Sequence, residues 1–361
     1  MKKYLFLAAL VGVAFTSCVR NEEFAPKTQK EISFEVANYV QSTRVEAFKT
    51  TETFAANAWV TDGGTTTQLI KDEVVSYGTT DLDHDSNDST APLTSYWKTA
   101  NTYYWPLDGT VDFICYYPTT VKPTIDYKYD GTDKLTYTDY TVANDDVMYA
   151  DKAVRYSANT TYQGFTGVPT LFHHALAKLN FKVQNGNYDD GVYYWKVTVK
   201  SITAKNIHTK GSVTLDHNGN VSPSTYGNWE LPDPAVWTPS TPAVTTAYTW
   251  DPTDDVVLNH ETATAFDAKT VYVMPQTLTK VGDHQTVTVV YTVDQIHKSD
   301  STVISSKDYN PTLDLYSTTL EHWQMNKDIT YTLSFNPKGE MILFAPAVQE
   351  WVTATGGVTV M

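Results

Sequence analysis

The run TVTVVYTV, from Thr286 to Val293, sets Val287, Val289, Tyr291 and Val293 against Thr286, Thr288 and Thr292 with a period of two. Successive side chains of an extended strand point to opposite faces, so this spelling buries one face and leaves the other in water. The pattern recurs along the chain. Ile329, Tyr331, Leu333 and Phe335 oppose Thr330, Thr332 and Ser334; Trp195, Val197 and Val199 oppose Lys196, Thr198 and Lys200. Leu179, Phe181 and Val183 alternate with Asn180 and Lys182, and Ile32, Phe34 and Val36 with Ser33 and Glu35. Such half-buried strands belong to sandwiches. The 361 residues include 25 Tyr, 13 Phe and 9 Trp beside abundant Thr and Val, a composition that packs well on pleated surfaces. No segment of about twelve residues or more carries a helical stripe. The expectation is an all-β chain with scarce helix, long enough for two domains.

Between these runs the spelling changes. Asn218-Gly219, after the Val213 to Leu215 run and before Val221, tolerates positive φ and predicts a hairpin turn. Residues 222–255 carry Pro223, Pro232, Pro234, Pro239, Pro242 and Pro252, which lack the donor a central strand needs, and so predict a long surface loop. Within it Trp229, Trp237 and Trp250 either pin the loop onto a sandwich or form a candidate surface contact. Thr79 to Thr90 reads as a second, acidic loop. Cys115 alternates with Val111, Phe113 and Tyr117 and reads as a small buried apolar residue.

The amino end, MKKYLFLAALVGVAFTSC, has two lysines, an apolar run from Tyr4 to Phe15 and small residues ending at Cys18. The run is too short for a stable membrane span and reads as a lipoprotein signal, residues 1–17, removed before Cys18. Acylation of Cys18, by palmitate or similar chains, would tether the chain to the membrane, since each buried methylene contributes about 0.8 kcal/mol and two or three chains hold almost permanently. The formal charge of −15, which becomes −17 once Lys2 and Lys3 are lost, argues against nucleic-acid binding and against an electrostatic membrane patch. With Cys18 acylated, Cys115 has no partner in the chain and no disulfide framework forms.

Four segments then occur in a telling order: YYWP at Tyr103 to Pro106, VDFICYYP at Val111 to Pro118, DDVMYA at Asp145 to Ala150, and FHHALAKLNFKV at Phe172 to Val183. Together with ITYTLSFNPKG, Ile329 to Gly339, and the closing VQEWVTATGGVTV, Val348 to Val360, they resemble the fimbrillin family of Gram-negative anaerobes. The resemblance covers most of the mature chain. It implies two tandem transthyretin-like, Greek-key β-sandwiches, here 45–180 and 181–361, with HALAKL near the junction, preceded by a leader, 18–44, that holds the first strand.

It implies too a pilus subunit that reaches the outer membrane and cell surface as a lipoprotein. An extracellular protease cuts it after a basic residue, and it then joins other fimbrial subunits by strand exchange. Of the three arginines, Arg20, Arg44 and Arg155, Arg44 lies in the polar stretch QSTRVE, which suits a protease; cleavage there makes Val45 the new terminus. Lys49 is the nearest competitor, and an ordinary surface charge is the plain alternative. Val358 and Val360 after the Gly356-Gly357 hinge form a donor strand on this reading; otherwise they close their own sheet. The hinge and donor favour a shaft subunit over tip or anchor.

The same residues spell no enzyme motif. None of the nine histidines stands at HExxH spacing, and His173-His174 on a strand point to opposite faces, which predicts a core or interface role. Asp81, Asp83, Asp85 and Asn87 follow calcium-loop spacing, but Ser86 stands where the turn glycine belongs and the terminal glutamate is missing. No nucleophile elbow, phosphate loop or dinucleotide fingerprint is present. No enzyme activity, metal or cofactor is expected beyond the lipid on Cys18. The competing class is a lipid-anchored glycan-binding protein that stacks sugars on exposed Trp and Tyr, with Trp229, Trp237 and Trp250 as its surface.

Overall fold

A computed structural model describes residues 31–36, 48–78, 96–157, 167–185, 189–219, 221–222, 225–258, 263–335 and 342–350. Among the described residues the regular elements are strands, with no helix, and so the molecule is all-β. One sheet of ten strands runs in the order Val168–Thr170, Phe34–Val36, Tyr96–Thr99, Thr65–Gly78, Thr53–Asp62, Thr110–Tyr117, Met148–Ala150, Phe172–His174, with Lys152–Tyr156 also paired to Thr110–Tyr117 and Thr225–Gly227 to Lys152–Tyr156. Its end strands, Val168–Thr170 and Phe172–His174, are separated in sequence by Leu171 alone. The sheet is therefore rolled until its ends meet, and the roll encloses Ile32, Phe34, Phe54, Val75, Trp97, Trp105, Phe113 and Cys115.

Thr110–Tyr117 is buried on both faces. Val111, Phe113 and Cys115 point into the roll, while Ile114 enters a second apolar cluster with Leu135, Tyr137, Val213, Leu215, Trp229 and Trp237. A small sheet covers that side, ordered Trp229–Glu230, Lys210–His217, Lys134–Thr141, Thr124–Asp126, with Thr238–Pro239 paired to Lys210–His217. Its strands come from both halves of the chain.

The third cluster fills a two-sheet sandwich. One layer is ordered Thr264–Ala265, Ala177–Asn185, Lys327–Phe335, Ile342–Glu350, with Val271–Val273 beside Ala177–Asn185; the other is Thr245–Trp250, Tyr193–His208, Thr286–His297, Val303–Tyr309. The run that opened the sequence lies in Thr286–His297, where Val287, Val289 and Tyr291 are buried. Leu179, Phe181 and Val183 pair in parallel with Ile329, Tyr331 and Leu333. In HALAKL, Ala175 and Leu176 belong to the second cluster and Ala177 and Leu179 to the third.

Two local expectations are corrected. The chain does turn at Gly219, with φ +74 and its N–H donating to Gly131 O at 3.0 Å, but the segment that returns on Lys210–His217 is Trp229–Glu230, through His217↔Trp229. The proline-rich stretch is not a free loop. It is laid down as short edge strands, and Pro239 is tolerated opposite Gly211 at such an edge.

Candidate functional site

The leader strand Phe34–Val36 is three residues long, yet it sits inside the rolled sheet. It pairs in parallel with Val168–Thr170, Phe34↔Val168 to Val36↔Thr170, and antiparallel with Tyr96–Thr99 through Phe34↔Trp97. Ile32 N–H donates to Tyr103 O at 2.8 Å, and Ser33 O accepts from Val168 N–H at 2.6 Å. The alternation legible in the sequence holds only in part: Ile32 and Phe34 are 0% and 1% exposed, but Ser33 between them is covered too, at 3%, and Val36 stays half-buried like Glu35. The Phe34 ring meets Phe54 at 5.7 Å and Phe113 at 5.8 Å, both edge-on. Burying two such side chains stabilises by about 1.5–3 kcal/mol each.

The seat is shaped for this strand. Gly167 has φ +94, and a Cβ there would stand 2.7 Å from Phe34 C and 2.8 Å from Phe34 N, so only glycine lets the two backbones approach. Phe48, the first described residue after 37–47, stacks on Phe172 at 5.0 Å and meets Trp97 and Tyr117 edge-on, each at 5.3 Å. Glu73 accepts from Tyr103 OH at 3.0 Å and from Asn101 Nδ2 at 2.9 Å at the mouth. Burial, and then Glu73, push the Tyr103 phenol up; burial, and then acidic neighbours, push Tyr117 up to about 12. Burial also pushes the Cys115 thiol up, which makes it an inert wall of the seat.

A strand held this way, if withdrawn, leaves an apolar slot with main-chain groups free on both sides. An extended segment with apolar residues at alternate positions fits such a slot. Periodicity reveals the strand; it does not reveal Gly167 or Phe48, whose roles depend on partners far along the chain.

Other predicted positions fall elsewhere. Cys18, Arg44, Val45, Gly356, Gly357, Val358 and Val360, and the Asp81 to Asn87 loop, lie outside the described residues. Trp229, Trp237 and Trp250 are 6%, 1% and 1% exposed, so as a candidate surface contact they are corrected. Trp229 Nε1 donates to Ala150 O at 2.9 Å and Trp237 Nε1 to Ala175 O at 2.8 Å, which pins their segments to the body as amphipathic indoles do. His173 and His174 engage different carboxylates, Asp151 at 3.0 Å and Asp146 respectively. Among the described residues no three His, Cys, Asp or Glu side chains group to hold a metal.

A family model described as fimbrillin-like matches residues 43–351. The crystal structure of a fimbrial protein from Bacteroides vulgatus is similar with TM-score 0.55 at 18% identity, covering 90% of this chain and 100% of that one. Another, from Bacteroides eggerthii and provisionally assigned to cell adhesion, gives TM-score 0.46 at 12% identity over 90% of this chain and 97% of its own. No curated protein sequence matches.

Proposed function

Because the chain belongs to the fimbrillin-like family, we propose that it is a structural subunit of a cell-surface fimbria that supports adhesion and polymerises by exchanging its leader strand for a strand of a neighbouring subunit. The observation that carries the exchange is the short leader strand itself, buried at Ile32 and Phe34 yet paired over only three residues on one side. On this reading the precursor is exported as a lipoprotein through Cys18, and an extracellular protease cuts after Arg44. Val45 becomes the amino terminus and the slot opens. The segment with Gly356, Gly357, Val358 and Val360 supplies the incoming strand, with valines entering where Ile32 and Phe34 had been. Cutting removes about 3–6 kcal/mol of burial from the free subunit, and the neighbour's strand restores it.

The test is amino-terminal sequencing of subunits recovered from surface filaments, together with unheated detergent gels. A start at Val45 and a ladder of high-mass species are expected, because exchanged strands leave slowly. Intact acylated Cys18 in every molecule, or a single monomeric band, overturns the reading. The glycan-binding alternative loses its proposed surface, since Trp229, Trp237 and Trp250 face inward.

A further inference from the structure

Lys152 is fully buried, and its Nζ lies 2.6 Å from Asp133 Oδ2 and 3.1 Å from Asp112 Oδ2, both carboxylates being 2% exposed or less. Strand exchange makes no use of these groups. Lys152 stands on Lys152–Tyr156 and Asp112 on the adjacent Thr110–Tyr117, both in the rolled sheet; Asp133 immediately precedes Lys134–Thr141 of the small sheet. We propose that Lys152 and Asp133 are the two halves of an intramolecular amide bond, formed by the folded protein itself with Asp112 as the proton carrier, that welds the small sheet to the rolled one.

Each position has a task in that condensation. The site is closed: the His217 ring, 5% exposed, packs beside Asp133 with Nδ1 3.6 Å from Oδ2 and donating to Gly131 O at 2.6 Å. The Tyr127 ring covers Nζ at 4.8 Å and is backed by Trp59 at 4.5 Å. In such a site an ion pair is costly, and moving a proton from Nζ to a carboxylate yields the neutral amine that can attack. Asp112 is placed to take it, held by Arg155 N–H at 2.6 Å on Oδ1 and by Tyr127 OH at 3.0 Å on Oδ2. Burial, then Asp112, push the Tyr127 phenol up, so it remains a donor.

Asp112 hands that proton on to Asp133 Oδ2, and Nζ adds to Cγ of the neutral carboxyl so formed; the negative charge that develops falls on Oδ1, which already accepts the Lys128 N–H at 2.6 Å. The Cγ–Oδ2 bond then breaks. Two of the three ammonium protons, the first relayed by Asp112, leave with Oδ2 as one water, and Asp112 ends as the carboxylate it was. Atoms and charge balance with no oxidant and no cofactor.

The experiment is mass spectrometry of tryptic peptides from the purified full chain. A linked protein yields peptide 129–134 joined to 135–155, uncut after Lys152 and lighter than the two together by one water. Separate peptides 129–134 and 135–152 at full mass overturn the proposal. So does a water lost from 129–134 alone with Lys152 still cleaved, which is cyclisation at Asp130-Gly131. Asp112→Asn keeps both partners and removes the proton carrier; its peptides are expected unlinked and at full mass, and linking to the wild-type extent overturns the role given to Asp112.

Discussion

The C-terminal sandwich and the rolled sheet close their cores by different means. In the sandwich, Ala177–Asn185 runs beside Lys327–Phe335 through eight register pairs, and Tyr193–His208 beside Thr286–His297 through twelve. In the rolled sheet, one seam is held by Phe34–Val36, with three pairs on one side and one on the other. Cores of similar composition can thus differ in how far they depend on a single short segment. Long ladders spread the load over many hydrogen bonds and many side chains, so that no three residues are indispensable. A three-residue seam concentrates it in Ile32 and Phe34 and can be undone by one cut.

The largest expected contrast comes from that cut. Protein lacking residues 1–44 should lose about 3–6 kcal/mol from the rolled sheet. Hydrogen exchange should then accelerate in Thr53–Asp62 and Thr110–Tyr117 while Thr286–His297 keeps its protection; equal loss in both regions would erase the distinction. Trp323→Ala probes the other side. Trp323 is 0% exposed and its Nε1 donates to Tyr331 OH at 2.9 Å, which in turn donates to Leu315 O at 2.8 Å. The substitution should cost about 3–5 kcal/mol in urea denaturation, by the same amount in cut and uncut protein.

Gly167→Ala sharpens the seam itself. It should destabilise the uncut chain by about 1–3 kcal/mol, because it strains a positive φ and drives a Cβ into the Phe34 backbone. In cut protein the second part of that cost is gone, and an equal cost in both would separate Gly167 from the leader strand.

The smallest effects are in pH, and they run in opposite directions. Asp72, on Thr65–Gly78, is desolvated by burial, but bonds from Tyr116, Asn57 and Lys122 outweigh this and lower its pKa. Its contribution is complete above 3.8 and fades as pH falls through the lowered native value. His284, beside the sandwich, is raised by its bond to Gly282 O and then by Asp314 at 2.8 Å. Its contribution is complete below 6.5 and fades as pH rises through the raised native value. Thermal melts of Asp72→Asn and His284→Gln against pH should flatten the acid limb and the near-neutral limb respectively.

The strands were legible where a core lies on one side only. Ile329 to Phe335, Val287 to Tyr291 and Leu179 to Val183 each spell their buried face in the sequence, and each is found buried so. Thr110–Tyr117 is harder to read, because both of its faces are covered and alternation does not distinguish them. The proline-rich stretch misled for a related reason: proline forbids a central strand but not a short edge, and three buried indoles there anchor what composition alone describes as loop. The leader strand was visible as Ile32, Phe34 and Val36, yet its position inside the sheet was not, since register with Val168–Thr170 is a contact across most of the first half of the chain. Lys152 gave no signal at all; a lone lysine in a strand reads as solvated until Asp112 and Asp133 are brought beside it.

The small sheet has a consequence for the order in which the molecule can be completed. Thr136 and Thr214, hydrogen-bonded partners across it, are 78 positions apart. For a chain threaded through a membrane amino end first, the outward side of the rolled sheet, with Ile114 and Tyr149 on it, has only Leu135 and Tyr137 of Lys134–Thr141 to cover it until Lys210–His217 and Trp237 have followed. The first half therefore waits, sticky and unfinished, for its cover to arrive from the second, and the delay is written into the spacing of two threonines.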